Sequence, residues 1–325
     1  MIRSLSVAVL AFAAMSAVQV GAEPLAQDDA LQILGRIATA ARTLNYSGTF
    51  VYQHGQRVET SRIVHFVDTD GEHEKLEALD GPRREIIRNN DEVLCYYPDA
   101  KIVRSQKRIG QRSFPALLPD TLKAITQYYT VRKGPSERVA GFDSQAVILE
   151  PKDGMRYGHT LWADTASGLL LKARTLNEAR QVVEQFSFTQ LTIGSGVTKE
   201  MINPTYQATF PEWRLDQFAQ AKLNDSETGW TVRNFPPGFQ KIMEIRRTKQ
   251  GGRIAVTHMV YSDGMAAVSI FVESISGRTV TEGLSRQGAI NIYRRIVGDN
   301  VITVLGEAPA DTVMQIGDSV SFQER

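Results

Sequence analysis

Cysteine is all but absent. Cys95 stands alone among 325 residues, so no disulfide can form within the chain and stability has to come from burial. In "DEVLCYYPD" it lies in a strand-like run and reads as a small core residue, with a free reactive thiol as the alternative. A charge surplus is missing as well. The 37 basic side chains face 36 acidic ones, a balance that argues against a general nucleic-acid binder. The signatures of catalysis are missing too. None of the five histidines (His54, His65, His73, His159, His258) falls in a spacing such as H-E-x-x-H, and no second cysteine exists for a zinc site. There is no G-x-S-x-G elbow, P-loop or G-x-G-x-x-G, and "GLSRQG" at 283–288 misses the spacing. The acid-dense "HFVDTDGEHE" is too short for a calcium loop and fits a hairpin tip. No catalytic residue, metal ligand or cofactor is therefore expected, and the chain does not read as an enzyme.

Long apolar runs are confined to the N-terminus. Arg3 supplies a positive start, Leu5 to Val20 is an uncharged run of about sixteen residues, and Val20-Gly21-Ala22 offers the small residues that a signal peptidase reads. The run is shorter than the roughly 20 residues a spanning helix needs. Residues 1–22 are expected to be a cleaved signal peptide, leaving an exported mature chain of 303 residues (325 minus 22). That is long enough for two domains with their own cores.

What is present is pattern. "DDALQILGRIATAARTL" places Leu31, Leu34, Ile37, Ala41 and Leu44 at helical spacing. From Tyr46 the period drops to two. "YSGTFVYQ", "RIVHFVD", "EKLEALD", "REIIRNN", "EVLCYYP" and "AKIVRSQ" follow one another, with turn signals between them such as Asp70-Gly71 and Asp80-Gly81-Pro82. Short strands without intervening helices predict an antiparallel meander. "LLPDTLKAITQYYTV" predicts a second helix; "SQAVILEP", the hairpin "RYGHTLWADTASGLLLKARTL" and "QVVEQFSFTQL" then resume the sheet. In the hairpin, alternation puts Leu169, Leu171 and Ala173 on one face and Leu170, Lys172 and Arg174 on the other. The stretch 192–229 is polar and weakly periodic, and reads as a linker between a domain at 23–191 and a smaller α+β domain at 230–325. The smaller domain shows hairpins turning at Ser262-Asp263-Gly264 and Gly298-Asp299-Asn300, then a closing helix with Pro309 near its start.

Two groups of side chains are candidates for binding. A curved sheet with helices across one face leaves an apolar cleft for acyl chains or extended peptide, and Phe50, Tyr52, Leu161, Leu169 and Leu171 are placed to border it. The alternative is that they fill a dry core. Charge is unevenly spread: residues 23–80 carry five basic and ten acidic side chains (net −5), and residues 81–140 carry twelve and six (net +6). Lys101, Arg104, Lys107, Arg108 and Arg112 form a run with no acid among them. They suit either a solvated loop that blunts a sheet edge or an anion-binding surface for acidic peptide or lipid phosphate.

Six ordered blocks carry a resemblance. "SGTFVY" (47–52), "LDGPRREIIR" (79–88), "RYGHTLWADTASGLLLK" (156–172), "EQFSFTQL" (184–191), "FPPGF" (235–239) and "YSDGMAAVSIFVE" (261–273) together resemble the RseB/MucB family over nearly the whole mature chain. The resemblance implies a periplasmic protein of α+β class. Its large LolA/LolB-like curved antiparallel sheet, a half-barrel with helices covering one face, would be followed by a small C-terminal domain. It implies binding to the periplasmic region of a membrane-spanning anti-sigma factor of the RseA/MucA type. Such binding shields that factor from site-1 proteolysis and keeps the sigma-E-type envelope stress response off, until lipopolysaccharide or lipoprotein acyl chains release it. A lipoprotein or lipid carrier of the LolA type is the alternative function, against which the second domain speaks. Relatives can carry further cysteines, whereas this chain has Cys95 alone, so disulfide-based regulation does not transfer. The sequence leaves open whether the chain forms a homo-oligomer.

Overall fold

Alternation in the sequence becomes strand nearly where it begins and ends. The computed structural model describes residues 23–107, 114–119, 122–206, 212–217, 219–222, 228–248, 255–275, 277 and 279–323, so the expected signal peptide at 1–22 lies outside the described residues. Helix α1 (Gln27–Thr43) opens them. Asp28 and Asp29 in its first turn and Arg42 in its last suit the helix dipole, and Leu34, Ile37, Ala38 and Ala41 are buried on one side.

The meander follows as β1 (Tyr46–His54), β2 (Arg57–Asp68), β3 (Gly71–Ala78), β4 (Glu85–Asn89), β5 (Glu92–Tyr97) and β6 (Ile102–Lys107). After helix α2 (Lys123–Tyr128) come β7 (Tyr129–Val139), β8 (Phe142–Pro151), β9 (Gly158–Asp164), β10 (Leu170–Leu176), β11 (Val182–Ile193) and β12 (Arg214–Gln217). These twelve strands form one sheet, in the order β12-β6-β5-β4-β3-β2-β1-β11-β10-β9-β8-β7. Its pairs are antiparallel except β12, which lies parallel to β6. The face that carries α1 holds the main core, where Leu34 and Ile37 of the helix meet Tyr46, Ile63, Leu149, Leu161 and Leu169. Each of these aliphatic side chains contributes about 1.5–3 kcal/mol relative to exposure. The α+β class and the broad sheet with helices on one face are as expected. The second helix is shorter than expected: among the described residues only Lys123–Tyr128 is helical there, and the next residue, Tyr129, opens the edge strand β7.

The hairpin β9–β10 shows where alternation misleads. Asp164 organises the turn, its Oδ2 accepting from the Ser167 amide at 2.7 Å and the Ser167 hydroxyl at 2.6 Å. Gly168 takes φ +80°, and a Cβ there would sit 3.3 Å from the Arg36 carbonyl of α1. One register shift between Leu170 and Lys172 then breaks the period. Leu170 and Ala173 join Leu169 on the α1 side, while Leu171 packs with Val139, Ala146 and Trp162 in a separate cluster. The expected face assignment is corrected accordingly.

The second sheet is built from β13 (Ala219–Lys222), β15 (Gln240–Thr248), β16 (Ala255–Ser262), β17 (Ala267–Ser274), β18 (Gly283–Gln287), β19 (Ile290–Val297) and β20 (Asn300–Gly306). Their order is β13-β15-β16-β17-β20-β19-β18. Helix α3 (Ala310–Asp318) lies over it, Val313 and Ile316 meeting Met259, Ile270, Ile302 and Val304. A short ribbon pairs β14 (Trp230–Val232) with β21 (Val320–Phe322). The polar stretch 192–229 is thus partly strand, giving β12 to the first sheet and β13 to the second.

Candidate functional site

Two places in this fold combine built geometry with chemistry: the concave face of the large sheet, and the junction between the two sheets. On the concave face, register lines up one row of side chains. Gly48 of β1 faces Ile63 of β2, which faces Leu76, then Ile86, then Cys95, then Arg104 on β6. Neighbours paired across strands share a face, so the row runs from the main core toward the sheet edge. Gly48 is required there, since a Cβ would meet the Phe188 ring at 2.8 Å and the Gln190 carbonyl at 2.5 Å. Ile63 is buried, whereas Leu76 and Ile86 are only half-buried.

A polar row runs beside it. Tyr46 faces His65, which faces Glu74, which faces Arg88. Arg88 donates to Glu72 at 2.5 Å and to Glu74 at 3.0 Å, and His65 Nε2 lies 3.0 Å from Glu72. Burial acts to raise Glu72, but the His65 contact and the Arg88 charge outweigh it and hold the carboxyl at about 2. The result is an apolar strip with a fixed charged border and a cation, Arg104, at its far end.

The candidate residues fall differently from one another. Phe50 is buried among Phe114, Phe186 and Phe188, with ring centroids 5.3, 6.2 and 6.0 Å away. Leu161 and Leu169 are buried in the same core, and Tyr52 is half-buried with its hydroxyl donating to Glu184 at 2.7 Å. These four share a face; Leu171 lies on the opposite one. Phe50, Leu161 and Leu169 are packed beneath α1 and Phe114, so the half-buried apolar surface lies further along the row, at Leu76 and Ile86. A shallow groove of about 410 Å³ runs elsewhere, along α1 from Gly35 to Leu44 beside Ser167.

Of the basic run, Lys101 takes a left-handed φ of 50° and pairs with Glu212 at 3.5 Å. Arg104 lies 5.3 Å from the Tyr97 ring centroid and 3.9 Å from Asp216. The run is free of acid along the chain but not in space, because β12 and the residue before its neighbour bring Asp216 and Glu212 alongside. Lys107 ends β6 opposite Glu92, and Arg108 and Arg112 lie outside the described residues. Among the described residues no three metal-ligating side chains come together, and no helix is long and apolar enough to cross a membrane.

The junction went unread in the sequence. Arg156, the first residue of the hairpin block, is wholly buried. It donates to Asp263 at 2.6 Å, to the Pro237 carbonyl at 2.6 Å and to Asp153 at 3.1 Å. Its guanidinium lies over Tyr128, 4.7 Å from the ring centroid. Burial opposes its charge, but Asp153 and Asp263 outweigh burial and raise its pKa. Asp263 also accepts from the Met265 and Ala266 amides at 2.9 and 2.8 Å, closing the turn between β16 and β17. Nearby, Asn291 donates to the Tyr157 hydroxyl at 2.9 Å, Thr312 donates to the Met155 carbonyl at 3.1 Å, and Ala289 packs on Tyr157 and Val183. Three resemblance blocks meet at this point: 156–172 through Arg156, 235–239 through Pro237, and 261–273 through Asp263. Their shared position in space, not any motif, marks the site.

Comparison with known proteins gives a consistent picture. The MucB/RseB N-terminal domain matches residues 29–206, and the MucB/RseB C-terminal domain matches residues 224–321. The sigma factor AlgU regulatory protein MucB of Pseudomonas aeruginosa is 29% identical over 298 residues, covering 90% of each chain. The sigma-E factor regulatory protein RseB of Escherichia coli K12 is 23% identical over 292 residues, covering 89% of this chain and 90% of that protein. Among solved structures, the Pseudomonas aeruginosa MucA/MucB complex superposes with a TM-score of 0.72 at 28% identity, covering 91% of this chain and 100% of that one. A structure of MucB in complex with MucA(peri) gives a TM-score of 0.70 at 27% identity, with the same coverage.

Proposed function

The chain belongs to the MucB/RseB family, and from that membership we propose that it is a periplasmic negative regulator of a sigma-E-type envelope stress response. It binds the periplasmic region of a membrane-spanning anti-sigma factor of the MucA/RseA type and shields that factor from site-1 proteolysis. The observation that carries this reading is continuity. Both family domains are matched in order, and the likeness to a MucB solved with its MucA partner spans 91% of the chain. Both units take part in binding, and the buried Arg156–Asp263 contact that joins them supports a single composite surface.

The concave row gives release a physical basis. An acyl chain inserted over Leu76 and Ile86 would place its phosphate-bearing head beside Arg104, with Lys101 nearby on the same edge. Lipopolysaccharide has that chemistry, and lipoprotein acyl groups share its apolar part. Binding chemistry of this kind asks nothing catalytic of the chain.

The test uses the mature chain, residues 23–325, with the periplasmic region of the cognate anti-sigma factor and the site-1 protease. The expected result is a stable complex in which cleavage is suppressed, and restored when lipopolysaccharide is added. Absence of complex formation, or unimpeded cleavage within the complex, would overturn the reading.

A further inference from the structure

At the junction, two carboxylates of like charge lie on the same surface. Glu184 of β11 points out of the large sheet with both oxygens engaged, accepting from the Tyr52 hydroxyl at 2.7 Å and the Thr175 hydroxyl at 3.3 Å. Glu307, just beyond the end of β20 in the small unit, stands within electrostatic reach of it. The next residue, Ala308, accepts from Asn291, which reaches across to Tyr157. The acidic pair is therefore built into the same surface that Ala289, Val183 and Tyr157 close with apolar contacts.

The surroundings offer little compensation. On the large side the pair is faced by Tyr52 and His54 of β1, His159 of β9 and Thr175 of β10. His54 is stacked on Tyr52 and directed at Glu59 of β2, 3.8 Å away, and its charge acts to lower Glu184. His159 is pushed down to about 4 by burial and is neutral at ordinary pH. On the small side the tight turn at Gly288, held by Arg286, presses against His54, and Arg286 acts on Tyr157. Among the described residues no Lys or Arg forms an ion pair with either carboxylate. Two acids brought together in a partly buried junction, with no Lys or Arg paired to them, cannot both stay ionised at low cost.

We propose that the junction is a proton-sensitive latch, in which a proton held by the Glu184–Glu307 pair keeps the two units docked and ionisation of both carboxylates loosens them. The Arg156–Asp263 contact is the permanent part of the junction, since its charges are opposite and paired. The acidic pair is the adjustable part. Glu307 keeps some exposure, so protons reach it without prior opening. Burial, with Glu184 beside it, raises Glu307 from its ordinary 4.5 to about 7, and burial raises Glu184 as well. The sign follows from linkage. A carboxyl raised in the docked form favours docking below its free value. That advantage is lost as pH climbs from 4.5 toward 7, and the loss levels off above 7.

The test reads opening directly and needs no partner, so its failure leaves the proposed function untouched. Ala289 is buried at the junction, so Ala289→Cys places a thiol that can be labelled only when the units part. Cys95, buried in the large unit, is the internal reference for wider unfolding. Labelling of each thiol in the mature chain, relative to the urea-unfolded chain at the same pH, is followed from pH 5 to 8 by peptide mass spectrometry. Exposure of the junction thiol should rise on the order of a hundredfold over that range while that of Cys95 stays flat, and Glu307→Gln should sharply reduce the rise. An unchanged junction thiol, a rise shared by Cys95, or a Glu307→Gln protein that tracks its parent would each overturn the proposal. A second measurement dispenses with the reporter. The gain in urea midpoint of Glu307→Gln over the unsubstituted protein should be absent at pH 5 and widen by pH 8. A constant difference contradicts the latch.

Discussion

Arg156→Met should cost more than any substitution on the protein's surface. The side chain is wholly buried, as is that of its partner Asp263. Removing the guanidinium strips Asp263 Oδ2 of a 2.6 Å donor and leaves a carboxylate inside the protein. Breaking one half of a buried ion pair costs about 3–5 kcal/mol. Asp263 Oδ1 keeps its two amide donors, which places the expected loss near the lower end, ~3 kcal/mol. Methionine has the length to refill the space over Tyr128, so the cost is electrostatic rather than a cavity. The assay is urea unfolding at 25 °C of the parent, Arg156→Met, Asp263→Asn and the double variant. If the contact is a true pair, the two substitutions are non-additive, with a coupling energy of roughly 2 kcal/mol. Asp153→Asn is the control, since that carboxylate is partly exposed and its loss should cost under about 1 kcal/mol. Additive effects in the cycle, or a loss for Arg156→Met no larger than that of the control, would refute the reasoning.

Three further outcomes follow from the same structure. Ile86→Glu, in the half-buried part of the concave row, should reduce uptake of a fluorescent fatty-acyl probe. Leu171→Ala, on the other face, should leave uptake intact while costing about 2–5 kcal/mol in urea unfolding. Replacing both Lys101 and Arg104 with Gln should weaken lipopolysaccharide binding and flatten its salt dependence in a fluorescence titration. Because both side chains are substantially exposed, thermal stability should hardly move. Glu72→Gln should soften the acid limb of the stability profile. The Glu72 contribution is full above the ordinary 4.5 and is lost as pH falls toward about 2, so circular dichroism should show the variant and parent converging at the acid end.

The strands were legible because burial on one face imposes a two-residue period, and β1 to β6 begin and end within a few residues of the alternation. The same rule failed at Leu171, where a single bulge reversed the faces and nothing in "SGLLLK" announces it. Strand β7 was missed because "YYTVRKGPSERV" carries Gly134 and Pro135 and exposes four of the strand's eleven residues at the sheet edge. Of the candidate cleft residues, Phe50, Tyr52, Leu161 and Leu169 lie on the α1 side and Leu171 on the other, but a sequence cannot say that Phe114 and α1 already occupy the space over Phe50. Leu76 and Ile86 were visible only as members of two strands, and it is register that sets them side by side. Arg156 was overlooked for a different reason. An arginine at a strand entrance reads as solvated, and its partners lie 81 and 107 residues away along the chain.

The passage of the chain between its two sheets has a mechanical meaning. β12 ends at Gln217, paired to β6 in the large sheet, and β13 begins at Ala219, paired to β15 in the small one. One residue separates the two strands along the sequence, so the tether between the sheets is short. Partings at the Arg156 side of the junction must pivot about this point, unless the edge strands peel away from their sheets. A tether this short also keeps the two faces at a very high effective concentration, so separated units re-dock within the molecule rather than drift apart. What a binding partner meets is therefore two units on one short tether, and any domain exchange between two copies of the chain would first have to unzip a sheet edge.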